Sequence, residues 1–229
     1  VTEVGVGRGL PIPRDILSVR VADGVASTNA YQVTSSVSVA TPDELKGAGE
    51  DYPGWVTDRY LQLPDTLPDR VKDLALKLAE NASNPFDRVG AIEAYLHTLG
   101  YNMEIDAPPY NADAVDYFLF TLGEGYSQYF SSAMTVMLRA VGVPARLAVG
   151  YAPGEKTTDG DFLVKDSDSH GWTQIFFPGF GWINSEATPP GIVASTDFLS
   201  RVEITTTSVA AIDDEFFDDD FSFDNPGDS

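Results

Sequence analysis

The sequence predicts an α+β domain with helices in the middle of the chain and an antiparallel sheet after them, and three observations carry that prediction. Helical periodicity is confined to the middle of the chain. Short alternating segments precede and follow it. Gly, Pro and Asp separate the later segments, which suits tight reversals between neighbouring strands.

Taken in order, residues 1–12 are Gly-rich and irregular, and "DILSVRVADG" (15–24) and "AYQVTSSVSVA" (30–40) alternate with a period near two, as strands do. "TPDELKGAGEDYPGW" (41–55) reads as loop with room for a short turn of helix. A boundary is expected near Leu63–Pro68, giving a β-rich N-terminal extension over 1–62, a core over 63–205 and an acidic, disordered tail over 206–229. After the boundary Val71, Leu74, Ala75 and Leu78 fall at i, i+3, i+4 and i+7, one buried stripe with Pro68 in the first turn. A second helix is expected from Pro85 to Leu99, with Val89, Ile92 and Leu96 inward and Gly100 as its stop. "DAVDYFLF" (113–120) is apolar without a distinguishing period.

The longest helix is expected from Ser127 to Val141, where Phe130, Ala133, Met134, Met137, Leu138 and Val141 form a stripe and Gly142 and Pro144 end it. Strands follow at "ARLAVGY" (145–151), "DFLVKD" (161–166), "WTQIFF" (172–177) and "WINSEA" (182–187).

Composition narrows the function. The chain has 229 residues, 43% of them hydrophobic, with 13 Phe, 10 Tyr and 3 Trp, enough for a packed core. A net charge of −21 argues against nucleic acid as partner, because phosphate binding needs clustered Lys and Arg. Eight of those charges lie between Asp213 and Asp228 without a basic residue, leaving −13 on residues 1–212. Such a tract is solvated, although Phe216, Phe217, Phe221 and Phe223 interleave with the acids and leave a docking motif open. With no cysteine there are neither disulfides nor thiolate metal sites, and no cofactor is implied. "TTDGDFLVKDSD" (157–168) lacks the spacing of a calcium loop and reads as a solvated loop, with calcium as the alternative. No apolar stretch approaches the ~20 residues of a membrane span, and the abrupt ends suit a segment of a longer protein.

Chemistry concentrates in two places. Of the two histidines, His97 lies in the last turn of a helix, a comfortable structural position near the negative dipole end. His170 enters a strand that turns through "FPGFG" and returns. If the turn centres on Pro178–Gly179, His170 faces about residue 187, and Glu186 could accept its Nδ1 proton and fix its tautomer. A plain cross-strand pair is the competing reading. Ser127 sits where a Gly-rich turn meets the long helix, as a cap or as a nucleophile held against unpaired helix N–H groups. Nucleophile, imidazole and carboxylate in that order of elements form an activated-nucleophile arrangement.

"GYSQYFSSAMTVMLRAVGVPARLAVGY" resembles the signature of the transglutaminase-like superfamily, roughly G-x-C-x-x-[FY]-A-x-x-x-x-x-L-R-x-x-G-[IV]-P-A-R-x-x-x-G-Y. "DSHGWTQIFFPGFGWINSEATPP" resembles its second block, D-x-H-A-W-x-E-[VI]-[YF]-x-P-G-x-G-W-x-x-x-D-x-T-P. The likeness spans about residues 52–190 and is strongest to bacterial multi-pass membrane proteins that carry the domain outside the cytoplasmic membrane. It implies a papain-like α+β fold, with Ser127 at the nucleophilic cysteine position, His170 as general base and Glu186 at the orienting position usually held by Asp. Tyr126 and Trp172 are implied neighbours of the cleft, and Gly171 and Gln174 replace the commoner Ala and Glu.

Serine at 127 implies weak or absent activity, since a thiol beside imidazole ionises near neutral pH and a hydroxyl does not. An engineered replacement and a naturally altered homologue both fit. The implied chemistry is acyl transfer from a glutamine or peptide amide to a lysine amine or to water. Peptide and protein substrates are the expected partners, and the parent protein is expected to be membrane-anchored. Two alternatives stay open: a non-catalytic domain binding peptide or cell wall, and a structural domain between membrane segments.

Overall fold

The structure, a computed structural model, describes residues 38–190. The predicted strand at 15–24, most of that at 30–40, the end of the predicted core and the acidic tail lie outside the described residues.

Residues 38–62 carry two short helices and no strand, where the sequence suggested loop within a β-rich extension. Helix α1 (Pro42–Lys46) starts at a capping box in which Thr41 and Glu44 satisfy each other's backbone N–H groups. Helix α2 (Gly54–Tyr60) buries Val56 and Tyr60 against Phe176, while Leu45 of α1 joins the main core. This segment therefore packs on the core rather than standing apart from it.

Helix α3 (Asp69–Leu78) buries Val71 and Ala75, with Leu74 and Leu78 at the margin of the predicted stripe. Helix α4 (Pro85–Leu96) is capped by Asn84, whose side chain accepts from the Asp87 N–H, and it buries Val89, Ile92 and Leu96. It ends three residues before the expected Leu99, with His97 as its C-cap. The chain then runs through β1 (Gly100–Tyr101), which pairs in parallel with β2 (Glu124–Gly125). Gly100 is required there, since a Cβ would lie 2.9 Å from Cβ of Glu124. The ambiguous 113–120 stretch becomes α5 (Ala114–Tyr117) and a π-helical turn over Phe118–Leu122, closed by Gly123 at φ 65°.

Helix α6 (Ser127–Ala140) is the centre of the domain. It packs on one side against α3 and α4 and on the other against the sheet. Phe130, Met134, Met137 and Leu138 have no exposed surface, and each contributes about 1.5–3 kcal/mol by leaving water. Arg139 ties the end of α6 down by donating from Nε to the Ala145 carbonyl and from Nη1 to the Gln62 carbonyl, each at 2.9 Å.

The sheet is antiparallel in the order β3 (Ala145–Tyr151), β6 (Ser169–Phe177), β7 (Gly181–Ser185). Only Phe162–Leu163 of the predicted 161–166 strand is extended, as β5 in a small hairpin with β4 (Glu155–Lys156), before a 3-10 turn at Asp166–Asp168. Gly, Asp and Ser around the three apolar residues leave too short a run for a longer ladder. Among the described residues no helix is long and apolar enough to cross a membrane, and no three His, Asp or Glu side chains cluster as a metal site.

Candidate active site

The β6–β7 reversal fixes which side chains share a face. Phe177 pairs with Gly181 and Thr173 with Ser185, so the loop is the three residues Pro178–Phe180, centred on Gly179 rather than on the Pro178–Gly179 bond. Gly179 and Gly181 both have positive φ, at 83° and 78°, which lets the chain turn in that length. Continued by one step, this register sets Glu186 opposite Trp172, diagonal to His170 and on its face. A turn centred half a residue earlier would have put the two on opposite faces.

The structure brings the pair together: His170 Nε2 lies 2.6 Å from Oε2 of Glu186. The sequence expectation named Nδ1, and this is a correction with a geometric cause. Diagonal neighbours are ~7–8 Å apart at the backbone, so the distal ring nitrogen and the longer glutamate arm are the atoms that span the gap. With Nε2–H donated to the carboxylate, Nδ1 keeps its lone pair and is the nitrogen left to act as a base. The other carboxylate oxygen accepts the Thr188 N–H at 2.8 Å, which fixes the group from a second direction.

Ser127 begins α6, one residue after the N-cap Tyr126, whose side chain makes no capping bond. Its hydroxyl is not turned to cap the helix either. Ser127 Oγ accepts the backbone N–H of Gly171 at 3.2 Å, so it lies against the residue that follows His170. Ser127 and His170 are each only 5% exposed. The close approach of helix and strand depends on Gly171, where a Cβ would lie 3.1 Å from Ser131 Oγ. Below that contact, Thr173 and Thr135 both donate to the Ser131 carbonyl, and Ser131 itself donates to the Ser127 carbonyl at 2.7 Å. The Thr173 bond joins strand to helix directly beneath the site, and the other two run along α6 itself.

The two neighbouring candidates flank it. The Trp172 ring lies nearly parallel to the His170 imidazole, centroids 6.4 Å apart, and its Nε1 donates to Asn184 Oδ1. Tyr126 meets Tyr129 edge-to-face, and the two help line a hollow of about 220 Å³ with Ala114, Val115, Gln128 and Ser132.

Two residues that the sequence did not assign to the site reach it from α4. His97 Nε2 lies 3.1 Å from the Glu186 carbonyl, beyond the helix-end role read from its position. Glu93 accepts from Ser185 Oγ at 2.8 Å. Burial pushes the Glu93 carboxyl up and the Glu186 charge adds to this, while the Ser185 bond and His97 pull it down. Burial also raises the Tyr101 hydroxyl, with a further push from the Glu186 charge, so Tyr101 lies within electrostatic reach of the acid.

Residues 72–187, which include Ser127, His170 and Glu186, match the transglutaminase-like superfamily. The chain belongs to that superfamily. Its fold agrees: the periplasmic domain of TgpA from Pseudomonas aeruginosa, solved bound to ethylmercury, superposes with a TM-score of 0.55 at 31% identity, over 60% of this chain and 50% of that one. In sequence the transglutaminase-like chain is 38% identical over 180 residues to the uncharacterized protein YebA of Bacillus subtilis, covering 73% of this chain and 24% of YebA. It is 34% identical over 131 residues to a protein-glutamine gamma-glutamyltransferase of Pseudomonas aeruginosa, covering 57% of this chain and 20% of that protein. The chain thus spans a quarter or less of these two relatives.

Proposed function

We propose that this domain is the acyl-transfer unit of a membrane-anchored bacterial protein, held outside the cytoplasm, with Ser127 in the nucleophile position, His170 as general base and Glu186 as the orienting acid. The observation that carries the proposal is the joint placement of the 2.6 Å His170–Glu186 bond and the Gly171 N–H bond to Ser127 Oγ. The relative described as a protein-glutamine gamma-glutamyltransferase supports the reaction class, and the periplasmic relative supports the location.

In this reading the position-127 side chain attacks a glutamine or peptide carbonyl carbon while its proton passes to Nδ1 of His170. The oxyanion is met by the Ser127 backbone N–H at the uncapped start of α6. The amide C–N bond breaks as the imidazolium returns the proton to the departing nitrogen, and a lysine amine or water then takes the acyl group. Glu186 holds Nε2–H throughout, so the ring keeps one tautomer. A hydroxyl must lose its proton during attack, whereas a thiol would begin as thiolate, so the chain as written is a slow catalyst or none.

Ser127→Cys tests this. The expected result is a gain of ~100-fold or more in amine incorporation or peptide cleavage, set by the thiolate advantage. No gain with an unchanged fold would overturn the proposal in favour of a second reading, which the serine itself motivates: a peptide- or cell-wall-binding domain. Binding of that kind would ignore Ser127→Cys and fall on Trp172→Ala.

A further inference from the structure

We infer that Glu93 of α4 and His97, the C-cap one turn further on, are positioning residues for Glu186; the inference rests on the catalytic reading above. The ladder between β6 and β7 ends at Thr173–Ser185, so Glu186 is the first residue past the sheet, and its backbone is not fixed by a strand partner. Helix α4 supplies what the sheet does not. The Glu93 carboxyl accepts a hydrogen bond from the Ser185 hydroxyl, and His97 donates Nε2–H to the carbonyl of Glu186. Two consecutive residues of the departing chain are therefore held from a single helix face, since positions four apart lie one above the other. On the far side the Glu186 carboxylate is divided between His170 and the Thr188 N–H. Rotation of the Glu186 peptide would swing that carboxylate along the sheet and lengthen the 2.6 Å bond that orients His170.

A core with no positioning task would not keep this pair. Glu93 neighbours the buried Ile92 and Leu96 of α4, where an ionisable carboxyl costs desolvation that an apolar side chain would avoid. Its bond goes to the residue before the acid and not to a helix end or a salt bridge.

The test uses the Ser127→Cys chain for kinetics and the unaltered chain for spectroscopy. Glu93→Met and His97→Leu remove the two bonds, and each is expected to lower kcat about tenfold with KM changed less than ~2-fold, the scale on which loss of an orienting bond acts. Glu93→Gln keeps an acceptor and His97→Gln keeps a donor at similar reach, so both return kcat to within about threefold. Unchanged kcat in both deletion variants, or equal loss in deletion and conservative variants, overturns the inference. Should a deletion variant fail to fold, Ser185→Ala removes the Glu93 bond from the strand side and takes its place. The imidazole N–H resonance of His170, recorded in the Ser127 chain, needs no turnover. It is expected to move in the deletion variants and to hold in the conservative ones. That pattern with an inactive Ser127→Cys protein would sink the catalytic reading and leave the positioning intact. A resonance that ignores all four variants would sink the positioning, whatever the activity.

Discussion

The two walls of the cleft are built by different forces. On the hairpin wall, His170 and Glu186 are placed by directional bonds, with Thr188, Ser185, Glu93 and His97 around them. On the helix wall, Ser127 is placed by the packing of α6, whose Phe130, Met134, Met137 and Leu138 are wholly buried, and its hydroxyl accepts one bond across the seam. Hydrogen bonds weaken steeply as the donor angle closes, so they set an angle. Apolar packing sets a position but tolerates rotation of a small side chain. In the proposed reading, the base and its acid need the angle, whereas the nucleophile needs to stand in the right place. That division predicts that the walls can be broken separately.

The largest effect is expected from the hairpin wall. In the Ser127→Cys background, His170→Ala should lower kcat/KM by about 10⁴, the scale of losing a triad base. The urea midpoint should move less than in the core variant below, because the Glu186 carboxylate keeps the Thr188 N–H and its own access to water. A fall in activity matched by wholesale unfolding would contradict the separation.

The helix wall should fail the other way. Phe130 has no exposed surface, stacks with Tyr101 and meets Phe118 edge-to-face. Phe130→Ala should cost about 3–5 kcal/mol of folding stability, read by urea denaturation, the range for emptying a buried aromatic site. The molecules that remain folded should keep the His170–Glu186 bond. If the His170 resonance is lost while the chain is still folded, the walls are coupled and the contrast drawn above is wrong.

What was legible in the sequence follows the same division. Strand β3 matches its reading residue for residue and α6 to within one, because a long stripe at period 3.6 and the Gly142–Pro144 stop are local signals. The turn was harder. "FPGFG" can reverse over two or three residues, and only the positive φ of Gly179 and Gly181 decides for three, which moves Glu186 onto the face of His170. The exchange of Nδ1 for Nε2 has the same origin. Glu93 and His97 left no local signal, since their partners lie 92 and 89 residues away and their spacing suits any helix. The stretch 113–120 is ambiguous because its apolar residues show no distinguishing period, and the π-helical turn that begins at Phe118 has no pattern of its own.

A smaller effect separates the support beneath the hairpin wall from the wall itself. Burial raises the Glu93 carboxyl above its ordinary 4.5, with the Glu186 charge adding to it and the Ser185 bond and His97 opposing it. Above 4.5 and up to the raised value the folded chain holds this proton more tightly than the unfolded chain does. Stability from Glu93 is then fully present below 4.5 and is lost as pH rises through the folded value. Glu93→Gln cannot ionise and should flatten this slope. The urea midpoint of the variant should therefore gain on the parent as pH rises above 4.5. Parallel midpoints would mean that Glu93 ionises in the fold as freely as in water.

The smallest effect lies at the seam. A Cβ on Gly171 would come within 3.1 Å of Ser131 Oγ and 3.6 Å of Gln128 Cα, so the hydroxyl occupies the room that the glycine leaves. Gly171→Ala gains ~0.4–1 kcal/mol by restricting the unfolded chain, and the contact with Ser131 offsets that gain. Ser131→Ala removes the obstruction along with the bond to the Ser127 carbonyl. The double variant should therefore be more stable than the two single changes add up to, by about 0.5 kcal/mol or more, the scale of coupling between residues in contact. Additivity would mean that helix and strand can separate by a few tenths of an ångström at no cost. The Gly171 N–H would then be a poor fixture for Ser127, and the Thr173 hydroxyl on the Ser131 carbonyl would be the hydrogen bond left to tie the two walls below it.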